Sequence, residues 1–285
     1  MIEIIESPRD AMQGIKTIIP TEKKVEYLRS LLCIGLNIID CGSFVSPKAI
    51  PQLADTGEVL RQIETVNTKS KILILTGNEQ GAETAMQYSL IAYLGFPFSI
   101  SETFLKKNIN KDFNQAEEAI LRINELCKIN SKELILYITM AFGNPYGDDW
   151  SIQMIVDWIG KFRESGIKFY DLTDILGLSN ASMIADVYNE LTFSFPDCKF
   201  GFHLHSENKD WYSKIEAAYL NGCQVFDSVL SGAGGCPMTG YDMLGNIDTL
   251  KILAFLDKHN SSPEVNLHAL KNANKKAHEL FYSYK

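Results

Sequence analysis

Two of the five histidines, His203 and His205, stand one residue apart in the run GFHLHS, residues 201–206. On a β-strand, side chains two apart point the same way, so both imidazoles would face one side of a sheet. Such a pair is either an incidental polar feature of a strand end or half of a metal site. An aspartate and an asparagine at other strand ends would add two oxygens. Two imidazoles, one carboxylate and one carboxamide suit Mg2+, Mn2+ or Zn2+ with open water positions. With no Cys-x-x-Cys pair among the six cysteines, a closed structural zinc site is not expected.

Arg9-Asp10, just after the apolar run IEII, reads either as a surface ion pair of little worth or as chemistry. In the second reading Asp10 ligates the metal, Arg9 presents a fixed cation to a developing oxyanion, and Pro8 stiffens the turn that aims both. Gln13 follows closely. Asp40, before Cys41-Gly42-Ser43, and Asp174 either orient a histidine or Arg9, or cap their strand ends. The run SGAGGCP is a plain glycine turn or an active-site flap that carries the thiol of Cys236; Asn246 lies ten residues on.

The elements that would position these groups recur as short apolar runs, each followed by a helical pattern. The runs are IEIIES, NIIDCGSF, KILILT, LIAYLGFPFSI, LILYITMAF, KFYDLTDIL, KFGFHLHS and CQVFDSVLSG. TEKKVEYLRSLLCIG reads as a helix capped by Thr21. Eight strands alternating with helices predict an α/β fold of the (β/α)8 TIM-barrel type, with chemistry at the C-terminal strand ends. One domain is expected over residues 1–285, the barrel over about 1–258 and extra C-terminal helices over about 263–285. An open doubly wound sheet is disfavoured because no strand leads into a G-x-G-x-x-G turn.

Composition narrows the class. At 46% apolar and 22% charged, the 285 residues match an ordinary globular chain. A net charge of -8 argues against a nucleic-acid surface, which needs a basic stripe. The longest apolar runs fall well short of a membrane span, and MIEIIESPRD does not read as a signal peptide, so no membrane partner and a cytoplasmic address are expected. The scattered cysteines then read as free thiols. A homodimer is the base-rate expectation, with Leu267, Leu270, Leu280, Phe281 and Tyr282 packing on the barrel or on a partner.

The motifs resemble the 3-hydroxy-3-methylglutaryl-CoA lyase family, within the wider group of metal-dependent lyase and acyl-transfer barrels. ESPRDAMQ is similar to its G-P-R-D-G-L-Q, and SFVSPKAIPQLADTGEVL to its second-strand loop and following helix. Residues 101–104 and 106–110 resemble its fourth-strand loop, HLH its H-x-H, and GAGGCP with Gly245-Asn246 its signature loop and asparagine. The likeness runs from about residue 3 to residue 260.

It implies a divalent ion, Mg2+ or Mn2+, on Asp10, His203, His205 and Asn246, with Arg9 at the substrate carbonyl. It also implies Cys236 as acid or base on a closing loop, Asp40 and Asp174 at family carboxylate positions, and Gln13 and Ser43 in the pocket. Lys106, Lys107 and Asn108 would lie along the arm of a CoA thioester substrate. The implied reaction is retro-Claisen cleavage of 3-hydroxy-3-methylglutaryl-CoA, with Asp10 or His203 as base and Cys236 protonating the enolate carbon. A condensing enzyme joining acetyl-CoA to a 2-oxo acid, and a non-catalytic barrel, are the rival readings. The chain departs from the family in four places. Asp40 replaces a glutamate, Ser206 in HLHSENK replaces an acid, DLTDILG, with Asp171 and Thr173 near the mouth, replaces S-L-G-D-T-I-G, and the Cys236-to-Asn246 interval is one residue longer.

Overall fold

Each of the eight apolar runs forms a strand in the computed structural model, which describes residues 2–206, 209–235 and 244–284. The strands are β1 (Glu3–Glu6), β2 (Ile38–Ser43), β3 (Lys71–Leu75), β4 (Ile91–Ser99), β5 (Glu133–Thr139), β6 (Phe169–Asp174), β7 (Lys199–Leu204) and β8 (Val225–Ser228). They pair in parallel in chain order, and β8 pairs with β1 to close a barrel. Helices α1 (Pro8–Gln13) and α2 (Thr21–Leu32) follow β1, α3 (Thr56–Ile63) follows β2, and α4 (Glu79–Met86) follows β3. After β4 come α5 (Glu102–Ile109) and α6 (Phe113–Ile129), then α7 (Ile152–Glu164), α8 (Ala181–Ser194), α9 (Trp211–Leu220) and α10 (Thr249–Lys258) after the next four strands. Helix α11 (Leu267–Ser283) ends the chain.

A closed parallel barrel buries both faces of every strand, which is why the runs are continuously apolar and not alternating. Ile5, Ile38, Leu73, Tyr93, Ile135, Phe169 and Val225 fill the interior. The opposite faces pack under the helices. At roughly 1.5–3 kcal/mol per buried aliphatic or aromatic side chain, these two layers dominate the favourable side of folding. Toward the C-terminal strand ends buried polar side chains, among them Ser43, Asp174 and His203, replace apolar ones.

The structure differs from the sequence expectations in four local respects. Thr21 opens α2 as its first residue, behind Pro20, and makes no cap; its hydroxyl donates to Asp55 Oδ2 (2.7 Å), tying α2 to the start of α3. Residues 102–109 form α5 where the sequence was read as loop. Ser101 Oγ caps it by accepting from Phe104 N (3.2 Å), and Asn110 ends it in the left-handed region (φ 55°). The stretch from Asn266 onward is one helix, α11, whose Leu270, Leu280 and Phe281 pack inward, Phe281 edge-on to Tyr27 of α2 (5.7 Å). Leu267 and Tyr282 remain exposed. Asp171, expected near the mouth, points into the barrel one layer lower, paired in register with Gly201, while Thr173 is paired with His203.

One outward carboxyl also locks the site end. Glu6 of β1 accepts from Leu230 N (2.7 Å) and bonds the Thr249 hydroxyl, joining β1 to the segment after β8 and to α10. Complete burial pushes its pKa up to about 8. Among the described residues no helix is long and apolar enough to cross a membrane. Cys33 is exposed, Cys41, Cys127, Cys198 and Cys223 are buried, and all five are free thiols.

Candidate metal centre and active site

Pro8 sits at the first position of α1, where its missing N–H costs nothing, so the helix begins immediately beyond β1 and turns Arg9, Asp10 and Gln13 into the mouth. Arg9 is buried. Its Nε and Nη2 reach Asp40 Oδ2 (2.8 and 2.7 Å), and its Nη1 donates to Asp10 Oδ1 (3.1 Å) and Gln13 Oε1 (3.2 Å). Gln13 Nε2 donates to the same Asp10 oxygen (2.7 Å). Burial opposes the charge on Asp10, but Arg9 and the two histidines outweigh it and hold the carboxyl at about 2. Asp40, fully buried at the end of β2, is pushed up to about 6 by burial despite Arg9, and its Oδ1 has no partner among the described residues. Asp40 therefore orients Arg9.

His203 and His205 do face one side, as the strand period requires. Their Nε2 atoms lie 2.8 Å apart. His205 Nδ1 is 2.9 Å from the Leu244 carbonyl, which can only accept, so that nitrogen carries the proton. His203 Nδ1 is 2.8 Å from Asp227 Oδ2, a carboxylate that likewise calls for N–H at Nδ1. Both Nε2 lone pairs then oppose each other, an arrangement that is repulsive unless a cation lies between them. A proton or a metal ion satisfies it. Asp10, His203 and His205 offer ligand atoms that all lie within 4.8 Å of one another, and two imidazole nitrogens with a carboxylate oxygen fit a divalent ion. Burial works to lower the pKa of His203, but the bond to Asp227 prevails and raises it; burial, and next the charge of His203, lower that of His205.

Asn246 joins this cluster through its nitrogen, which donates to Asp10 Oδ2 (2.7 Å) and the Ala233 carbonyl (2.9 Å). Gly234 (φ +104°) permits that approach, since a Cβ there would stand 2.7 Å from Asn246 Nδ2 and 2.8 Å from Ala11 Cα. Cys236 lies outside the described residues.

Other site candidates are dispersed. Asp174 turns into its own loop, accepting from Leu178 N (2.9 Å), Ser179 N (3.0 Å) and Ser179 Oγ (2.5 Å). Ser43 lines a neighbouring pocket between the loop after β2 and α4. On α5, Asn108 lines the main cavity, Lys107 Nζ sits 4.2 Å from the centre of the Tyr146 ring, and Lys106 is exposed.

The main cavity, about 830 Å3 of open space, has Arg9, Asp10, His203 and Tyr137 at its polar end. Its walls are apolar, including Val45, Ile50, Phe104 and Ile109. Two participants escaped the sequence reading. Asp227 and Tyr137 are interior residues of β8 and β5, and the available signal was a carboxylate set inside the otherwise apolar CQVFDSVL.

Fold and site together define a (β/α)8 barrel with a cluster of Asp10, His203 and His205 that could hold a metal ion, beside a buried arginine at its C-terminal mouth. A family profile described as HMGL-like matches residues 2–276, and the chain belongs to that family. It is 30% identical over 268 residues to the hydroxymethylglutaryl-CoA lyase of Bacillus subtilis, covering 94% of this chain and 89% of that one. The solved Bacillus subtilis HMG-CoA lyase superposes with a TM-score of 0.91 at 29% identity, covering 99% of this chain and 94% of that one. An HMG-CoA lyase from Acinetobacter baumannii, solved with coenzyme A and 3-methylmalate, gives 0.90 at 26% identity, covering 99% and 92%.

Proposed function

We propose that the protein is a carbon–carbon lyase that cleaves 3-hydroxy-3-methylglutaryl-CoA to acetoacetate and acetyl-CoA. The convergence of Asp10, His203 and His205, with Arg9, Asp10 and His203 lining the polar end of one cavity and His205 buried behind them, carries this reading. Asp10, His203 and His205 would hold Mg2+ or Mn2+, and Asn246, whose nitrogen faces Asp10 in this structure, would add its carboxamide oxygen by turning that amide over. The bound ion supplies Lewis acidity, lowering the pKa of the substrate's tertiary hydroxyl.

The remaining chemistry belongs to side chains. A base takes the hydroxyl proton, the C2–C3 bond breaks, and the electron pair moves onto the thioester as an enolate. Of the two base candidates Asp10 is unsuited, because a carboxyl held at about 2 with three donors on its oxygens retains little basicity. His203 can take that role only by giving up its place on the ion, since Nδ1 is protonated toward Asp227 and Nε2 is its single lone pair. Arg9, fixed by Asp40, stabilises the enolate oxygen. Cys236 returns a proton to the enolate carbon, which completes acetyl-CoA. Lys106, Lys107 and Asn108, on one short helix at the rim, meet the CoA arm, and the apolar wall excludes water from the reacting bond.

Acetoacetate release from 3-hydroxy-3-methylglutaryl-CoA, measured before and after EDTA and again with Mg2+ or Mn2+, tests the reading. Loss with chelation and recovery with metal is expected. No metal-dependent acetoacetate would overturn it.

A further inference from the structure

Asn246 reaches Asp10 from a segment that leaves the barrel after β8 and returns as α10 at Thr249. Its described parts, 229–235 and 244–249, meet as two arms. Backbone bonds join them from Val229 N to Ile247 O (3.0 Å) and from Thr249 N to Val229 O (3.3 Å). Further along, a Cβ on Gly245 would stand 2.6 Å from Gly232 O, and the Ala233 carbonyl accepts from Asn246 Nδ2 (2.9 Å). Backbones packed this closely move together, so a shift of the first arm displaces Asn246. The first arm bends at Ser231, whose φ of 75° is a left-handed conformation that a residue with a Cβ keeps only where its surroundings impose it. The Ser231 hydroxyl has no partner among the described residues, so its own side chain does not fix the bend.

The constraint comes from β1. Ile5 fills the barrel interior, so Glu6 beside it turns to the outer face, where it is fully buried. Its Oε1 accepts from the N–H of Leu230, the residue before Ser231 (2.7 Å), and its Oε2 accepts from the hydroxyl of Thr249, where the second arm enters α10. One carboxyl therefore grips both arms at their base. We propose that Glu6 is a positioning residue that clamps the two arms and thereby sets Asn246 against Asp10. Its consequence for metal binding rests on the reading of Asn246 as part of the ligand set.

The test reads hydrogen exchange by mass spectrometry in the metal-free protein, over peptides covering 229–235 and 244–249 with β5 as the reference, and Mn2+ affinity by calorimetry. Wild type, Glu6→Ala, Glu6→Gln and Thr249→Val are compared. Glu6→Ala loses both bonds and should speed exchange in the two arms by about 10-fold or more while β5 keeps its rate. It should weaken Mn2+ binding by about 10-fold, the usual cost of losing a partner behind a ligand. Glu6→Gln, which keeps an acceptor for Leu230 N and offers Thr249 an N–H, should stay within about threefold of wild type in both readings. Thr249→Val releases one arm and should speed exchange in the same peptides by a smaller factor. Unchanged arms in Glu6→Ala, faster exchange spread equally over β5, unchanged Mn2+ affinity, or a Glu6→Gln as impaired as Glu6→Ala would each overturn the proposal. Where Glu6→Ala does not fold, Thr249→Val decides by the same comparison of arms with β5. A wild type that binds no Mn2+ would remove the metal reading above, and exchange alone would then decide the clamp. A positive result here with no acetoacetate in the assay above would leave the clamp standing and remove only the substrate.

Discussion

Arg9 carries two duties that its geometry makes inseparable. It neutralises buried Asp40 and braces Asp10, so its removal strands one carboxylate and loosens another. Arg9→Met is therefore expected to lower kcat by about 10²–10³, the scale of a lost oxyanion donor. It should also weaken Mn2+ binding, because Asp10 loses the cation that keeps it ionised. Stopped assays with calorimetry check both, and a kcat within twofold of wild type would remove Arg9 from the oxyanion. Glu6 offers a test by stability. Its folded pKa of about 8 lies above its unfolded value near 4.5, so its contribution is complete below 4.5 and is lost as pH rises through 8. Glu6→Gln keeps an acceptor for Leu230 N and offers Thr249, whose hydroxyl donates to Glu6, an N–H to accept instead, without the charge. Calorimetric Tm should move in favour of the variant between pH 5 and 9, and a pH-independent difference would refute the buried-acid account.

Among the elements, α5 and β7 have the clearest consequences. Asp148 anchors the first turn of α5, accepting from Ser101 Oγ (2.5 Å), Thr103 N (3.0 Å) and Thr103 Oγ1 (2.8 Å). Because α5 carries Lys106, Lys107 and Asn108, Asp148→Ala should raise KM for the CoA thioester several-fold with little change in kcat. Loss of kcat alone would separate α5 from substrate binding. On β7, Gly201→Ala pushes a methyl into Asp171 and should cost about 1–3 kcal/mol, as overpacking does. Adding Asp171→Ala should recover most of it. Urea unfolding of the two single variants and the double variant measures that coupling, and simple additivity would contradict the close approach.

For the whole molecule, the proposed metal ion and a proton would compete for one place between His203 and His205. An ion at 100 times its Kd stabilises the folded state by about 2.7 kcal/mol. Mn2+ should therefore raise Tm by roughly 5 °C at pH 8. At pH 6 the gain should shrink, because the raised pKa of His203 puts a proton where the metal must go. An equal gain at both values would argue against the histidine pair as ligands. The barrel makes this competition possible by bringing residues 10, 203, 205 and 227 to one end of the same closed sheet.

Periodicity and composition carried the barrel, because strands buried on both faces write themselves as apolar runs at regular spacing. The pairing of His203 with His205 was equally legible, since two-residue alternation is a local property of the backbone. Helix α5 escaped because its eight residues are too short to display a clear apolar stripe. The places of Asp227 and Tyr137 were hidden for a different reason. A carboxylate inside a strand says nothing about its neighbour until closure of the sheet brings β7 and β8 together and sets Asp227 against His203 Nδ1. Chain-local chemistry was settled by residue order. Which nitrogen of His203 faces the ligands was settled by contacts between residues 24 or more positions apart, which exist only in the folded barrel.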